Sequence, residues 1–165
     1  MNEPAGNCEG FLRVATPGDI SHLAKHHRMM FEEIGEKRGI PTDPSALASL
    51  EQEYAKKLAR EFESGTCISW VIQAGDRIVS SGAISILSYV PVPHDPTLRV
   101  AFLHSVYTEY EYRHRHYASE ITQEAADYCR KQGIRRLYLF ASDAGRPVYE
   151  TIGFVPVPNM MLLLQ

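Results

Sequence analysis

The sequence predicts a single α/β (α+β) domain built on a mixed, mostly antiparallel central sheet of about seven strands with four flanking helices. Three observations predict it. Apolar residues recur with period two in some segments and with helical spacing in others, in the order β, α, α, β, β, β, α, β, α, β, β. Gly75-Asp76 falls between two strand-like runs, a tight-turn signal that makes this pair an antiparallel hairpin. The chain has 165 residues, 44 % hydrophobic and 22 % charged, the size and balance of one globular core.

Residues 1–10 are polar and read as a disordered tail, leaving 11–165 as the domain. Residues 11–15 read as a short strand. Thr16-Pro17-Gly18-Asp19 starts a helix, because Thr16 or Asp19 can cap it and proline suits a first turn. Ile20, Leu23, Ala24, His27, Met30, Phe31 and Ile34 then recur at helical spacing, and Gly35 and Gly39 are expected to stop that helix. After a break at Pro41 to Pro44, a second helix runs from Ser45 to about Ser64, with Leu47, Leu50, Tyr54, Leu58 and Phe62 on one face.

Residues 66–74 and 77–90 form the two arms of the hairpin. The loop 91–98 carries three prolines and cannot sit inside a central strand. Residues 99–108 form the next strand, and a basic turn at 113–116 leads into a helix that Gly133 ends. Leu137 to Phe140 read as a strand, Ala144 to Thr151 as a short helix, and the remainder as two strands interrupted by Pro156 and Pro158.

Composition excludes several classes of function. A net charge of -3 argues against a protein that works by gripping nucleic acid or an anionic membrane. Three cysteines with no CxxC pair give neither a disulfide framework nor a metal site, and imply reduced thiols in a cytoplasmic protein. The N-terminus lacks the apolar region of a signal peptide, and no apolar run approaches the ~20 residues of a membrane helix.

The chemistry concentrates in residues 99–154. A strand that runs through a positive turn into a helix is an anion-binding geometry, since the free N–H groups of the first helical turn and the helix dipole both favour negative charge. The turn reads Arg113-His114-Arg115-His116-Tyr117-Ala118, and its guanidinium and imidazole groups suit a pyrophosphate. Downstream lies Ala141-Ser142-Asp143-Ala144-Gly145-Arg146-Pro147, followed by Tyr149-Glu150-Thr151-Ile152-Gly153-Phe154.

These two stretches resemble motifs of the GNAT superfamily of N-acetyltransferases: the Q/R-x-x-G-x-G/A loop that binds the pyrophosphate of an acyl-CoA, and the Y-x-x-x-G-F signature with its preceding Ala-Ser-x-x-Gly-Arg-Pro run. The element order matches that fold from residue 11 onward. The chain departs from the pattern where His116, and often His114, replace glycine, which would let backbone approach a phosphate without a Cβ in the way.

The resemblance implies acetyl-CoA as co-substrate and a primary amine of a small molecule or peptide as acceptor, joined by direct attack. It implies a V-shaped splay at a bulge, where the coenzyme's pantetheine arm lies along the backbone of Ser105, Val106, Tyr107 and Thr108 as a pseudo-strand. Arg113, His114, Arg115, His116, Tyr117 and Ala118 would hold the pyrophosphate, Ser142 the arm, and Arg146 a phosphate. Tyr149 would protonate the departing thiolate, and the Val106 N–H would meet the oxyanion. For the base, His104 is the candidate, expected to share a strand face with Phe102 and Val106; Glu109, expected to pair with Arg113 or Arg115, and His94 and Asp95 are weaker choices. The first helix would wall the acceptor with residues from His26, His27, Arg28, Met30, Phe31 and Glu33, above all His27 and Phe31, with Tyr89 at the rim. A homodimer is compatible with the apolar run Met160 to Leu164. A non-catalytic acyl-CoA-binding module is the alternative that the missing glycines keep open.

Overall fold

The computed structural model describes residues 9–164. Nearly all of the predicted tail therefore lies outside the described residues. Its last residue, Gly10, donates its N–H to the Tyr117 hydroxyl at 3.0 Å, which ties the start of the domain to the third helix.

Five strands form one sheet in the order β1-β2-β3-β4-β5. They are β1 (Phe11–Val14), β2 (Cys67–Ala74), β3 (Arg77–Ser88), β4 (Arg99–Thr108) and β5 (Leu137–Leu139). The first four run antiparallel, and β5 joins β4 in parallel. Four helices cover the sheet: α1 (Ile20–Lys37), α2 (Pro44–Ser64), α3 (Tyr117–Lys131) and α4 (Arg146–Ile152). Helix α2 starts on the Asp43 carboxylate, which accepts the Ser45 N–H, and ends at Gly65 in the left-handed region at φ 71°.

The alternation of β2 sends its two sets of side chains into two cores. Cys67 and Val71 pack with Leu23, Ala24, Tyr54 and Leu58 beneath α1 and α2. Trp70 and Ile72 pack with Tyr117, Ile121, Ala125 and Cys129 beneath α3. Leu58, Val71, Ile72 and Ile121 are each 0 % exposed.

Three expectations need correction. The sheet has five strands, because Phe154 to Leu164 form none; Pro156 and Pro158 remove the ladder donors that strand pairing needs. Helix α1 runs through Gly35 to Lys37, because a Cβ at Gly35 would lie 2.6 Å from the Thr42 methyl, so this glycine serves close packing. Strand β3 stops at Ser88.

Candidate active site

Strand β4 changes character at its middle. From Ala101 to Leu103 it pairs with β5 on one edge and β3 on the other. Beyond Leu103, among the described residues, the β5-side edge has no strand partner. At the same point the register with β3 jumps from Ala83↔His104 to Ser81↔Tyr107, leaving Ser105 and Val106 opposite Gly82 alone. This is a β-bulge, and Ser105 occupies the left-handed region at φ 57°. Gly82 leaves it room: a Cβ there would sit 2.7 Å from Ile121 Cγ2 and 3.2 Å from Val106 Cγ2.

The bulge resets the faces of β4. His104 and Ser105 both turn toward α1 and α2, while Val106 packs on the α3 side with Ile121. The expectation that His104 and Val106 share a face is therefore overturned, because one extra residue shifts a period-two pattern by one. Backbone alternation also fixes where the N–H groups point. The Glu109 N–H reaches the Val79 carbonyl on β3, so two and three residues earlier the Tyr107 N–H faces β3 and the Val106 N–H faces the open edge.

On the α1/α2 side the bulge residues enter a polar network. His27 Nδ1 lies 2.8 Å from Ser105 Oγ, and His104 Nδ1 lies 3.0 Å from the same oxygen. His104 Nε2 lies 2.9 Å from Ser85 Oγ, which accepts from Lys57 Nζ at 2.9 Å. The Tyr54 hydroxyl lies 3.2 Å from His104 Nδ1. The His27 ring stacks on Tyr54 with centroids 4.0 Å apart and meets Phe31 edge-on at 5.0 Å. Burial lowers the pKa of His27 to about 4; burial, with Lys57 nearby, lowers that of His104 to about 3. Both imidazoles are neutral at pH 7. Both ring nitrogens of His104 are engaged, Nε2 by Ser85 and Nδ1 by Ser105 and Tyr54, so its lone pair is not free for an amine.

The rest of the first helix is less exposed than its charge suggests. His26 is buried, bonded to Ser81 Oγ at 2.8 Å and 3.5 Å from Glu109 Oε1; burial lowers its pKa. Glu109 pairs with Arg77 at 2.7 Å rather than with Arg113 or Arg115. Arg28 bonds Glu32 and Glu51, joining α1 to α2.

Below the open edge, the turn before α3 has the backbone that the missing glycines would supply. His114 and His116 both adopt left-handed conformations, at φ 62° and 64°. Histidine is among the residues that tolerate this region. Left-handed His116 is followed directly by helical Tyr117, a pairing that turns successive N–H groups inward into an anion-binding nest, whereas Arg113 before His114 is extended. The N–H groups of Tyr117, Ala118 and Ser119 precede the first intrahelical bond, from Glu120 N–H to the His116 carbonyl. The turn thus presents free backbone N–H groups of the kind that bind anions.

The side chains there divide the work differently from expectation. Arg113 gives its guanidinium to Glu33 at 2.7 and 2.8 Å and to the Thr108 carbonyl at 2.9 Å, and the Tyr107 hydroxyl donates to the same Glu33 at 2.6 Å. Arg113 therefore clamps α1 to the end of β4. Arg115 lies over the Tyr112 ring at 5.2 Å, with its residue exposed. Tyr117 is buried with its hydroxyl committed to Gly10, so it can offer a ligand only its N–H.

On α4, Tyr149 packs against the α3-side core and meets Phe154 at 5.8 Å, and burial raises its pKa. Ser142 Oγ accepts the Gly145 N–H at 3.2 Å and so helps start α4. Arg146 lies loosely beside Glu150 at 3.7 Å and is half exposed. Tyr149 and Arg146 border a cavity of about 640 Å³ along β5 that none of the bulge residues lines.

The rim candidate Tyr89 and the weaker base candidates Asp95 and His94 fall elsewhere. Tyr89 lies seven residues past Gly82, roughly 20 Å along the strand direction, beneath the Arg136 guanidinium at 5.9 Å. Asp95 is buried and bonds Thr97 and Arg136, which hold its carboxyl down to about 2, so it fastens the β3–β4 loop. His94 borders the β5 cavity.

A sheet opened at a bulge, above a positive turn that begins a helix, defines an acyltransferase site for a coenzyme A thioester. The model of the Acetyltransferase (GNAT) family matches residues 29–154, and the chain belongs to that family of acetyl-CoA-dependent acyltransferases. The fold is similar to that of a GCN5-related N-acetyltransferase from Ralstonia eutropha, at 20 % identity and TM-score 0.85, covering 94 % of this chain and 99 % of that one. It is similar to a predicted acetyltransferase from Clostridium acetobutylicum solved with acetyl-CoA, at 21 % identity and TM-score 0.82, covering 94 % and 96 %. It also resembles the aminoglycoside N-acetyltransferase AAC(6')-Iy in complex with CoA, at 13 % identity and TM-score 0.68, covering 99 % of each chain. No curated protein matches the chain by sequence.

Proposed function

We propose that the protein transfers the acetyl group of acetyl-CoA to a primary amine of a small molecule or peptide by direct attack. Two features carry this reading together: the edge of β4 from His104 to Thr108, which has no strand partner among the described residues, and the left-handed turn with its His116–Tyr117 nest at the start of α3. The pantetheine arm adds to that edge as a strand would, and the diphosphate rests on the nest and the first N–H groups of α3. Arg115 adds charge there, Ser142 borders the coenzyme from the loop before α4, and Arg146 borders it from the first turn of α4.

The amine attacks the thioester carbonyl carbon, the carbonyl oxygen gains the electron pair, and the Val106 N–H stabilises it. Collapse breaks the C–S bond. The Tyr149 phenol protonates the leaving sulfur and is restored by the proton that the nitrogen loses, so an amide and a free thiol result. His27 and Phe31 line the acceptor side. The left-handed backbone at His114 and His116 favours a working donor site over a degenerate one.

The exposed apolar run from Met160 to Leu164, 77–101 % accessible, supports a homodimer, which sedimentation at micromolar concentration tests. Among the described residues no helix is long and apolar enough to cross a membrane. Burial raises the Cys67 and Cys129 thiols to about 12 and about 11, in keeping with reduced, unreactive cysteines in a cytoplasmic enzyme.

Acetyl-CoA at ~100 times its Kd should raise unfolding stability by about 2.7 kcal/mol, read as a thermal shift. A panel of amines, followed by thiol release, then identifies the acceptor. No thermal shift with acetyl-CoA and no thiol release with any amine would end the proposal.

A further inference from the structure

The hydrogen bonds behind the bulge have a direction. Lys57 ammonium can only donate, so it fixes the orientation of each bond that follows. Ser85 Oγ accepts from Lys57 at 2.9 Å. Ser85 is buried, and its own proton is best used on its other partner, His104 Nε2, at 2.9 Å. His104 Nε2 is then an acceptor, so this neutral ring carries its proton on Nδ1. That N–H faces Ser105 Oγ at 3.0 Å and the Tyr54 hydroxyl at 3.2 Å. With His104 Nδ1 protonated, we assign the Ser105 hydroxyl proton to His27 Nδ1 at 2.8 Å, the shorter of its two imidazole contacts. His27 therefore carries its proton on Nε2, the nitrogen on the side of the ring away from Ser105.

Nothing about this arrangement is loose. Ser105 is held at φ 57° in the bulge, where strain persists only if the surroundings fix it. The His27 ring is clamped between the Tyr54 face and the Phe31 edge. His27 is partly exposed, and Phe31 beside it is 42 % exposed, so the ring lies near the protein surface rather than sealed in the core.

We propose that His27 acts as a neutral hydrogen-bond donor, presenting its Nε2–H to the acetyl carbonyl of bound acetyl-CoA at the end of a one-way chain through Lys57, Ser85, His104 and Ser105. The assignment rests on acetyl-CoA lying along the open edge of β4. It makes His27 a partner of the Val106 N–H in holding the oxyanion, and it removes His27 from the role of base, because its one lone-pair nitrogen is already occupied by Ser105. His104, Ser105 and Lys57 are positioning residues. The low pKa of His27 agrees with a ring that stays neutral while donating.

The test has two readouts on the full chain. Long-range 15N–1H spectra of the free protein assign imidazole tautomers directly; the Nε2–H form is expected for His27 and the Nδ1–H form for His104. Acetyl-CoA labelled with 13C at the carbonyl should then show a downfield carbonyl shift on binding. His27→Phe, which keeps the stacking, should lose that shift and lower kcat by roughly 10²–10³-fold with acetyl-CoA affinity retained. His27→Gln, whose amide still donates, should restore part of both. Lys57→Met should let both rings sample the other tautomer and lower kcat several-fold at unchanged KM for acetyl-CoA. An Nδ1–H tautomer at His27, or an equal carbonyl shift in wild type and His27→Phe, overturns the proposal while leaving acetyl transfer intact. Wild-type protein that fails to bind acetyl-CoA removes both together.

Discussion

The two halves of β4 follow different rules within one strand. Arg99 to Leu103 pairs with β3 throughout and with β5 from Ala101 to Leu103, and it buries Val100, Ala101 and Leu103, at 0–3 % exposure. His104 to Thr108 is paired on one edge, carries a left-handed serine, and turns an imidazole, a hydroxyl and a phenol toward α1 and α2. The first half holds the sheet together. The second gives up ladder pairing and apolar burial, and what it gains is an open edge with a fixed polar backing. The sheet opens at its centre while the side chains behind the opening stay hydrogen-bonded, which is the geometry the proposed coenzyme arm requires.

Substitutions should separate the halves. Leu103→Ala should cost about 2–5 kcal/mol of stability, seen in chemical denaturation, with kcat near normal in the fraction that remains folded. A large kcat loss at unchanged stability would erase the distinction. Tyr149→Phe should do the opposite, lowering kcat by roughly 10²-fold with melting temperature and acetyl-CoA affinity nearly unchanged. An unchanged kcat would remove the phenol from the mechanism.

Arginines 113 and 115 sharpen the same contrast at its lower end. Arg113→Ala breaks the Glu33 pair and should cost about 1–3 kcal/mol of stability. Arg115→Ala should leave stability alone and weaken acetyl-CoA several-fold. Equal effects of the two on coenzyme affinity would contradict the division between clamp and phosphate contact.

The smallest effect is that of pH. Burial holds the folded-state pKa of His27 at about 4 and that of His104 at about 3, below the ordinary 6.5. Between pH 6.5 and about 4 the unfolded chain binds more protons, so this contribution is complete above 6.5 and declines as pH falls through the window. Asp19, held at about 2 chiefly by Arg13, loses its contribution only below about 3.8. Melting temperature should thus drop from pH 7 to pH 4.5 in wild type, and drop less in His104→Gln. Parallel curves would show that the buried rings do not govern the slope.

Much of this molecule can be read from its residues in order. The helical spacing that places His27 and Phe31 on α1, the Gly75-Asp76 hairpin, and the strand, turn and helix from 99 to 131 are local patterns with local causes. The bulge is not legible, because the close fit that accommodates it sets Gly82 of β3 against Ile121 of α3, residues far apart in sequence. The one extra residue of the bulge reverses the face of Val106 and brings Ser105 to His27. The job of Arg113 is hidden for a similar reason, since Glu33 lies 80 residues away in sequence. His114 and His116 mislead in another way: the sequence shows that glycine is absent, but not that histidine takes up glycine's backbone conformation. The C-terminal strands read as apolar runs, and two prolines are enough to undo them.

The most direct test of the central claim is amide chemical-shift mapping during titration with acetyl-CoA. Saturable changes are expected at His104 to Thr108 and at His114 to Ser119, with Arg99 to Leu103 little affected. Changes confined to β1, α2 or the cavity outside β5, with the bulge and the turn unmoved, would contradict it.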